Sequence, residues 1–255
     1  MAVHSILSPA LTDVVEAVLR EAGVTHVAHG ERDPVAAAEA IVGDPEARAI
    51  IGPFRSRAVA EVVEVTAPKG LPLVAPVATW AGVTRSDEPG CEDDPARHLG
   101  TVLRLVARDT VVAQRIAARV RGNGGRAFVV AGDHEYGSQL VGQLALAGLP
   151  RAESGAEADV VVLAGLAGEP EADMARALAP IPIVAFDGIQ GEPFPDQRVE
   201  LALVYAPGPI GVDETRRAAE LVSTTTDLDE LRRLGAFDDH GDLIDPPVRF
   251  ERYDG

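Results

Sequence analysis

Residues 49–56 read Ala-Ile-Ile-Gly-Pro-Phe-Arg-Ser, and residues 71–79 read Leu-Pro-Leu-Val-Ala-Pro-Val-Ala-Thr. Each stretch is a short apolar run, broken by glycine or proline, that leads to a hydroxyl side chain, Ser56 or Thr79. Short apolar runs bounded by turn residues are typical of buried strands in parallel sheets. Because such sheets bind ligands beyond the carboxyl ends of their strands, Ser56 and Thr79 stand where binding residues are expected.

The flanking sequence alternates strand and helix patterns, which predicts βα units around parallel sheets. The predicted strands lie at residues 3–7, 25–28, 49–51, 71–75, 102–106, 127–131, 160–163, 181–186 and 199–204. Residues 76–100 show no periodicity and predict a long loop, which in a compact domain is usually functional. A change of composition at residues 106–109 predicts a boundary between two lobes.

The composition excludes several classes of protein. The 255 residues carry a formal net charge of −17, and this acidity argues against a nucleic-acid partner, which needs clustered cations. One cysteine, Cys91, excludes an internal disulfide. No apolar run approaches the roughly 18 residues of a membrane span, and the N-terminus lacks a signal-peptide pattern. We expect a cytoplasmic protein without membrane insertion; the alternative is a secreted or lipid-anchored protein whose signal peptide has been removed.

The sequence offers little to catalysis or metal binding. The histidines show no metal-ligand spacing beyond the pair His26 and His29. A Gly-x-Ser-x-Gly elbow is absent, and the glycines at 122–125 precede a predicted strand, whereas a phosphate-binding loop follows one. Asp133 resembles one half of a carboxylate pair but is predicted to cap a helix that begins near Gly137. We therefore predict no enzymatic activity, no metal and no cofactor.

Three side chains near the two quoted loops each have a binding interpretation and a structural one. The unpaired N–H groups at a helix start attract carboxylates, so Ser56 either binds such a ligand or caps the helix. Arg55 either recruits a second carboxylate or phosphate or is a surface charge balanced by Glu61 or Asp87. Trp80 either stacks on a ligand or anchors its loop. The residues alone leave these choices open.

The quoted stretches resemble the core signature of the type I periplasmic binding proteins. This family includes the leucine/isoleucine/valine-binding proteins of ABC transporters and cytoplasmic amide sensors. Four further segments resemble segments of this family and occur in the same order along the chain. They are Leu-Arg-Leu-Val-Ala-Arg-Asp at 103–109, Gly-Asp-His-Glu-Tyr-Gly at 132–137, Ala-Phe-Asp-Gly at 185–188 and Phe-Asp-Asp-His-Gly-Asp at 237–242. Each segment is weakly specific alone. Together, over nearly the whole chain, they identify it as an abbreviated member that lacks a signal peptide.

The resemblance implies an α/β fold of two doubly wound parallel-sheet lobes with a hinge and a ligand cleft between the lobes. Lobe 1 would comprise residues 1–107 and about 208–236, and lobe 2 residues 108–207 and about 237–255. In amino-acid-binding relatives, first-lobe hydroxyls bind the carboxylate, while a nearby carbonyl and a second-lobe acid bind the ammonium. The matching positions are Ser56 and Thr79 for the hydroxyls, Val77 with Ala78 for the carbonyl, Tyr136 for a second-lobe aromatic and Asp187 for the acid.

We therefore expect a non-catalytic protein that binds an amino acid or a related small amide or carboxylate, and whose lobes close on it. A homodimer through first-lobe helices and a regulatory partner that reads the closed state are further expectations. The candidate dimer faces are Leu11, Val15 and Val18, or Val59, Val62 and Val63. The alternative is a chain that has lost its ligand and keeps the fold as a scaffold or oligomerisation module. An α/β enzyme is a third reading.

Overall fold

The computed structural model describes residues 2–85, 100–166, 168–189, 194, 196–206 and 209–253. The chain divides into unit 1, formed by residues 1–108 and 205–246, and unit 2, formed by residues 109–204 and 247–255. The first stretch of unit 1 ends at residue 108, one residue beyond the end expected for lobe 1 from the sequence. The assignment of the C-terminal tail differs more from the prediction. Residues 237–246 belong to unit 1, whereas the sequence predicts them in the second lobe.

Unit 1 is a parallel sheet with helices between its strands. Its strands are β1 Ala2–Ile6, β2 Thr25–His29, β3 Ala47–Ile51, β4 Leu73–Ala75 and β5 Val102–Arg104. Its helices, numbered along the whole chain, are α1 Pro9–Glu21, α2 Pro34–Gly43, α3 Ser56–Thr66, α7 Val212–Thr224 and α8 Leu228–Gly235. The strand order is β2-β1-β3-β4-β5, and every neighbouring pair is parallel. The βα units predicted for the first 76 residues are confirmed.

Helices cover both faces of the unit 1 sheet. One face carries α1 and α7, whose Val15 and Val222 belong to the same core cluster. The other face carries α2 and α3, and α3 buries Val59, Val62 and Val63 completely. Five of the six side chains predicted for the two dimer faces are therefore buried in the core of unit 1, and Val18 is partly buried against it. The homodimer itself stays a prediction.

Unit 2 is a second sheet of the same kind. Its strands are β6 Ala127–Ala131, β7 Val160–Ala164, β8 Ile183–Ala185, β9 Val199–Leu203 and β10 Arg249–Arg252, and its helices are α4 Asp109–Gly122, α5 Glu135–Leu146 and α6 Pro170–Ala177. The strand order is β10-β9-β8-β7-β6, in which β10 is antiparallel to β9 and the other pairs are parallel. The predicted α/β class with two parallel sheets is confirmed. None of the described helices has the length and apolarity to cross a bilayer.

Asp242 anchors the returning tail to unit 1. Its carboxylate is 3% exposed and accepts hydrogen bonds from Thr84 Oγ1 at 2.7 Å and Arg85 Nε at 2.8 Å. Arg104 Nε, on a side chain with no exposed surface, lies 3.0 Å from the same carboxylate. A buried carboxylate persists only when its charge is paired. These contacts explain why residues 237–246 belong to unit 1.

The pKa of Asp242 lies below its ordinary value of 3.8, although burial alone would raise it. The charges of Arg104 and Arg108 and the hydrogen bonds from Arg85 and Thr84 favour the ionised form and outweigh burial. The folded state therefore binds this proton less tightly than the unfolded chain does. The resulting stability is present in full above about pH 3.8 and is lost as the pH falls through the folded-state pKa.

Replacing Asp242 by Ala leaves the buried Arg104 without its counter-charge, so we expect the free energy of unfolding to fall by about 3 to 5 kcal/mol. Urea denaturation at neutral pH, followed by circular dichroism, measures the loss. Asp239→Ala is the control, because that side chain is exposed, and we expect a change within about 0.5 kcal/mol. Equal effects of the two substitutions would contradict the role assigned to Asp242.

Candidate functional site

The carboxyl ends of β1 and β3 meet where the strand order of unit 1 reverses. From β1 the chain passes to β2 on one side, and from β3 it passes to β4 on the other. The helices that follow leave to opposite faces, since α1 and α3 belong to different core clusters. Open parallel sheets bind ligands in the crevice at such a switch point. The loop at residues 52–56 therefore lies where a binding loop is expected.

Gly52 holds this loop against the end of β1. Its φ of 91° is in the left-handed region, and a Cβ atom there would lie 2.5 Å from the carbonyl oxygen of Ile6. Only glycine meets both requirements. Glu31 fixes the same loop from the end of β2, because its Oε1 accepts a hydrogen bond from the backbone N–H of Phe54 at 2.8 Å. The position from which Ser56 starts α3 is thus determined by close contacts on two sides.

Ser56 is the first residue of α3, and its hydroxyl does not cap the helix. Arg55 occupies the N-cap position with an extended backbone, so the capping interpretation of Ser56 is wrong. Ser56 Oγ instead accepts a hydrogen bond from the backbone N–H of Trp80 at 3.3 Å. This contact uses a lone pair of the hydroxyl and leaves its proton for donation to an oxyanion.

The buried guanidinium of Arg104 holds the loop after β4. Its Nη1 donates to the carbonyl oxygens of Ala78 at 3.2 Å and Trp80 at 2.8 Å, and its Nη2 donates to Thr84 Oγ1 at 2.6 Å. The carbonyl of Ala78 therefore has one of its two lone pairs occupied by Arg104. One rigid side chain orders the backbone on both sides of Thr79.

The other predicted residues of this loop are also supported from within unit 1. The carbonyl of Val77 accepts a hydrogen bond from Tyr205 Oη at 3.4 Å and keeps a second lone pair. Thr79 is 7% exposed. Trp80 is half-buried and packs against the core cluster that contains the buried face of α3. Its ring lies against Gly82, where a Cβ atom would be only 2.5 Å from Cζ2 of Trp80. This placement is the one that the anchoring interpretation of Trp80 predicts.

Arg55 directly precedes Ser56, and its side chain is exposed. It lines an open groove of about 850 Å³ at the carboxyl ends of β1 and β2, together with Arg32 and His29. Glu61, one of its two expected partners, pairs instead with Arg57, with a nitrogen to oxygen distance of 3.4 Å. Asp87, the other, lies outside the described residues.

Tyr136 and Asp187 lie together on unit 2. Tyr136 is in the first turn of α5, Asp187 follows β8, and the Tyr136 hydroxyl donates to Asp187 Oδ1 at 3.1 Å. Gly188 permits this approach, because a Cβ atom there would lie 2.6 Å from the carbonyl oxygen of Gly165 and 3.0 Å from Tyr136 Cε1. Leu166 lies next to Gly188 and is 38% exposed. The side chains of Asp187 and Leu166 therefore both lie next to Gly188.

His134 supports Tyr136 and replaces Asp133 as the cap of α5, which begins two residues earlier than the sequence predicts. His134 Nδ1 accepts the backbone N–H of Gly137 at 3.1 Å, so the ring proton is on Nε2, which lies 3.0 Å from Oε1 of the buried Glu171. The rings of His134 and Tyr136 are nearly parallel, with centroids 6.3 Å apart. The cap thus positions the aromatic ring as well as the helix.

The histidines of β1 and β2 form a separate polar cluster in unit 1. His4 Nδ1 lies 3.0 Å from His29 Nε2, and His4 Nε2 lies 3.1 Å from Asp44 Oδ2. His26 Nε2 lies 2.9 Å from Ser5 Oγ. His26 and His29 therefore contact different partners. In the described part of the chain, no three histidine, cysteine, aspartate or glutamate side chains are arranged to hold a metal ion.

A second cavity, of about 520 Å³, lies on unit 2. It lies at the amino ends of β7, β8 and β9, where Val160, Ile183 and Val199 line it. Parallel sheets bind ligands at the opposite, carboxyl edge. We therefore place the candidate site of unit 2 at Tyr136 and Asp187 rather than in this cavity.

No protein-family model and no curated protein matches this sequence. Solved structures do match. An ABC transporter substrate-binding protein from Desulfitobacterium hafniense superposes with a TM-score of 0.74 at 15% identity, over 99% of this chain and 99% of its own. The leucine-binding protein LivK from Thermotoga maritima superposes with a TM-score of 0.65 at 16% identity, over 98% of this chain and 97% of its own. The substrate-binding protein LivJ from Streptococcus pneumoniae was solved with isoleucine. It superposes with a TM-score of 0.70 at 13% identity, over 95% of this chain and 93% of its own.

The chain has the type I periplasmic binding protein fold. The resemblance read from the six sequence segments is confirmed at this level. Within this periplasmic binding fold, the predicted site residues are held by others that sequence reasoning missed. Arg104 and Tyr205 bind the carbonyls of the loop after β4, and Glu171 binds His134. The signal for Arg104 is a charge inside the apolar run Val-Leu-Arg-Leu-Val, which requires a buried partner.

Substituting Gly52 by Ala places a Cβ atom 2.5 Å from the Ile6 carbonyl in a left-handed backbone conformation. We expect the free energy of unfolding to fall by about 2 kcal/mol, measured by urea denaturation. We also expect a shift in the emission of Trp80, the only tryptophan, because the displaced loop alters its contact with Ser56. Gly43→Ala, which meets open space and ordinary backbone angles, is the control. A Gly52 variant that behaves like the Gly43 variant would refute this account.

The histidine cluster predicts a pH-dependent stability. Burial lowers the pKa of His4, His26 and His29 from 6.5, and for His4 the neighbouring His29 adds to this while Asp44 opposes it. The unfolded chain therefore binds these protons more tightly. Stability is complete above about pH 6.5 and falls as the pH drops through the folded-state values.

We expect the urea concentration at the unfolding midpoint to decrease as the pH is lowered from about 7.5 to about 5.5. The decrease should be smaller in His29→Gln, which removes one of the protonation sites. The exposed His240, substituted in the same way, is the control and should leave the slope unchanged. A wild-type midpoint that is constant over this range would show that the cluster accepts protons without cost.

Proposed function

We propose that this chain is a non-catalytic ligand-binding protein that takes an amino acid or a related small carboxylate or amide. Ser56 and Thr79 of unit 1 would bind the carboxylate, and Asp187 of unit 2, oriented by Tyr136, would bind the ammonium. The three solved neighbours described above are named as substrate-binding or leucine-binding proteins, not as enzymes. A cytoplasmic location and a regulatory partner stay predictions from the sequence.

The hydrogen bond from the Trp80 N–H to Ser56 Oγ carries this proposal. It joins the two loops that bear the predicted hydroxyls, and it leaves the Ser56 proton available to another acceptor. The start of α3 has no side-chain cap and no acidic residue in its first turn. The unpaired N–H groups and partial positive charge of such a helix start favour a carboxylate.

The pair on unit 2 suits the other end of an amino acid. An ionised carboxylate has about four acceptor positions, so the bond from Tyr136 to Asp187 is compatible with further bonds from an ammonium group. Charge-assisted bonds of this type are roughly twice as strong as neutral ones. The exposed Leu166 beside Gly188 offers contact to an aliphatic side chain.

The ligands of two neighbours are consistent with this chemistry. The Desulfitobacterium hafniense protein has also been solved in complex with leucine, with a TM-score of 0.70 to this chain, and LivJ was solved with isoleucine. Both ligands combine a carboxylate, an ammonium group and an apolar side chain. That combination is the one for which Ser56, Asp187 and Leu166 supply complementary groups.

Calorimetric titration with the common amino acids, including branched-chain and acidic members, tests the proposal. We expect heat of binding for at least one of them. Toward that ligand, Ser56→Ala and Thr79→Ala should each weaken binding by about tenfold, and Asp187→Asn by about a hundredfold because it removes a charge-assisted bond.

The control is Ser223→Ala, whose hydroxyl donates to the carbonyl of Glu220 in its own helix. It should bind as the wild type does. Absence of heat across the whole panel would contradict the proposal and favour the scaffold alternative. Binding that is unaffected by Ser56→Ala, Thr79→Ala and Asp187→Asn would place the ligand elsewhere.

A further inference from the structure

The pair of His134 and Glu171 in unit 2 contains a titratable ring beside the predicted ligand residues. His134 is the N-cap residue of α5, and the buried Glu171 lies in the first turn of α6. His134 Nε2 lies 3.0 Å from Glu171 Oε1. The starts of two helices therefore meet at one imidazole.

The pair lies tightly against the backbone that follows β6 and β7. A Cβ atom at Gly132, directly after β6, would lie 2.4 Å from His134 Nε2. A Cβ atom at Gly165, directly after β7, would lie 2.4 Å from Glu171 Oε1. Because closely packed groups shift only together with their neighbours, a change at this ring is transmitted to the start of α5.

The cap bond of α5 requires a neutral His134. The backbone N–H of Gly137 donates to His134 Nδ1 at 3.1 Å. A neutral imidazole has one acceptor nitrogen, whereas an imidazolium has two donors and no acceptor. Histidine side chains gain or lose a proton between about pH 5 and pH 8. When His134 gains a proton, two N–H donors face each other and the cap bond is lost.

The groups around the ring act in opposite directions and lead to the ligand site. Among the described side chains, Glu171 is the acidic group in contact with His134, and the preceding Asp133 is exposed. The negative charge of Glu171 stabilises the imidazolium, whereas the cap bond stabilises the neutral ring. The Tyr136 ring stacks on His134 with centroids 6.3 Å apart, and its hydroxyl donates to Asp187 Oδ1 at 3.1 Å.

We propose that His134 is a positioning residue whose protonation regulates the affinity of the site at Asp187; this inference rests on the amino-acid function proposed above. The neutral ring caps α5 and keeps Tyr136 bonded to Asp187. The imidazolium releases the start of α5, and Tyr136 with it. Ligand binding therefore favours the neutral ring and releases its proton to solvent, and the affinity falls as the pH falls.

The amide of Gly137 reports the cap bond in the ligand-free protein. We expect its proton chemical shift, measured by NMR, to titrate between about pH 7.5 and pH 5.5. His134→Asn should abolish this titration, because asparagine also caps helices but gains no proton in this range. His240→Asn is the matched control, since that histidine is exposed in unit 1, and it should titrate as the wild type does. A Gly137 amide that does not titrate in the wild type would overturn the proposal.

Calorimetric titration with leucine at pH 7.5 and pH 5.5 tests the coupling to affinity. We expect wild-type binding to be about tenfold weaker at the lower pH, and binding by His134→Asn to be equal at both. His240→Asn should show the wild-type decrease. Glu171→Gln keeps an acceptor for Nε2 but removes the charge that stabilises the imidazolium, so its decrease should occur at lower pH.

Urea midpoints at both pH values establish that the variants are folded, and if His134→Asn is not, Glu171→Gln carries the test. The proposal is overturned if the wild type binds leucine equally at both pH values, if His134→Asn keeps the decrease, or if Glu171→Gln leaves the pH dependence unchanged. Equal binding at both pH values leaves the amino-acid function intact. Absence of heat with leucine at both values contradicts that function for this probe, and the regulation of its affinity with it.

Discussion

The ion pair between Arg104 and Asp242 is the interaction on which unit 1 depends. Both groups are buried, and Asp242 is the carboxylate that balances the buried charge of Arg104. Through Asp242 the pair brings the returning tail onto β5, and through its Nη atoms Arg104 holds the loop after β4. The completion of the core and the shape of the predicted ligand loop therefore rest on one guanidinium.

A buried charge is a costly way to order a loop, and an apolar side chain of similar volume would fill the same space. It would not supply the guanidinium donors that fix the carbonyls of Ala78 and Trp80 on either side of Thr79. A loop ordered in advance loses less conformational entropy when a ligand arrives. Unit 2 uses a related device, because the buried Glu171 fixes His134, and His134 in turn places the ring of Tyr136.

The fold could be read from the sequence because strands of parallel sheets are continuous apolar runs and helices repeat every 3.6 residues. The tail was misassigned because the partners of Asp242 lie far earlier in the chain, at Thr84, Arg85 and Arg104. The location of Ser56 after β3 was predictable. Its partner was not, since the bond to Trp80 depends on the approach of two loops, which Gly52 and Arg104 determine.

Because unit 1 is built from two separate stretches of chain, the part that is synthesised first completes its fold last. The core cluster that contains Val15 of α1 also contains Val222, Phe237 and Leu243. These residues leave the ribosome after almost all of unit 2, which by then lacks only its edge strand β10. The part of this core that α7 and the tail cover, beside α1, therefore stays open until residues 212–243 have been synthesised.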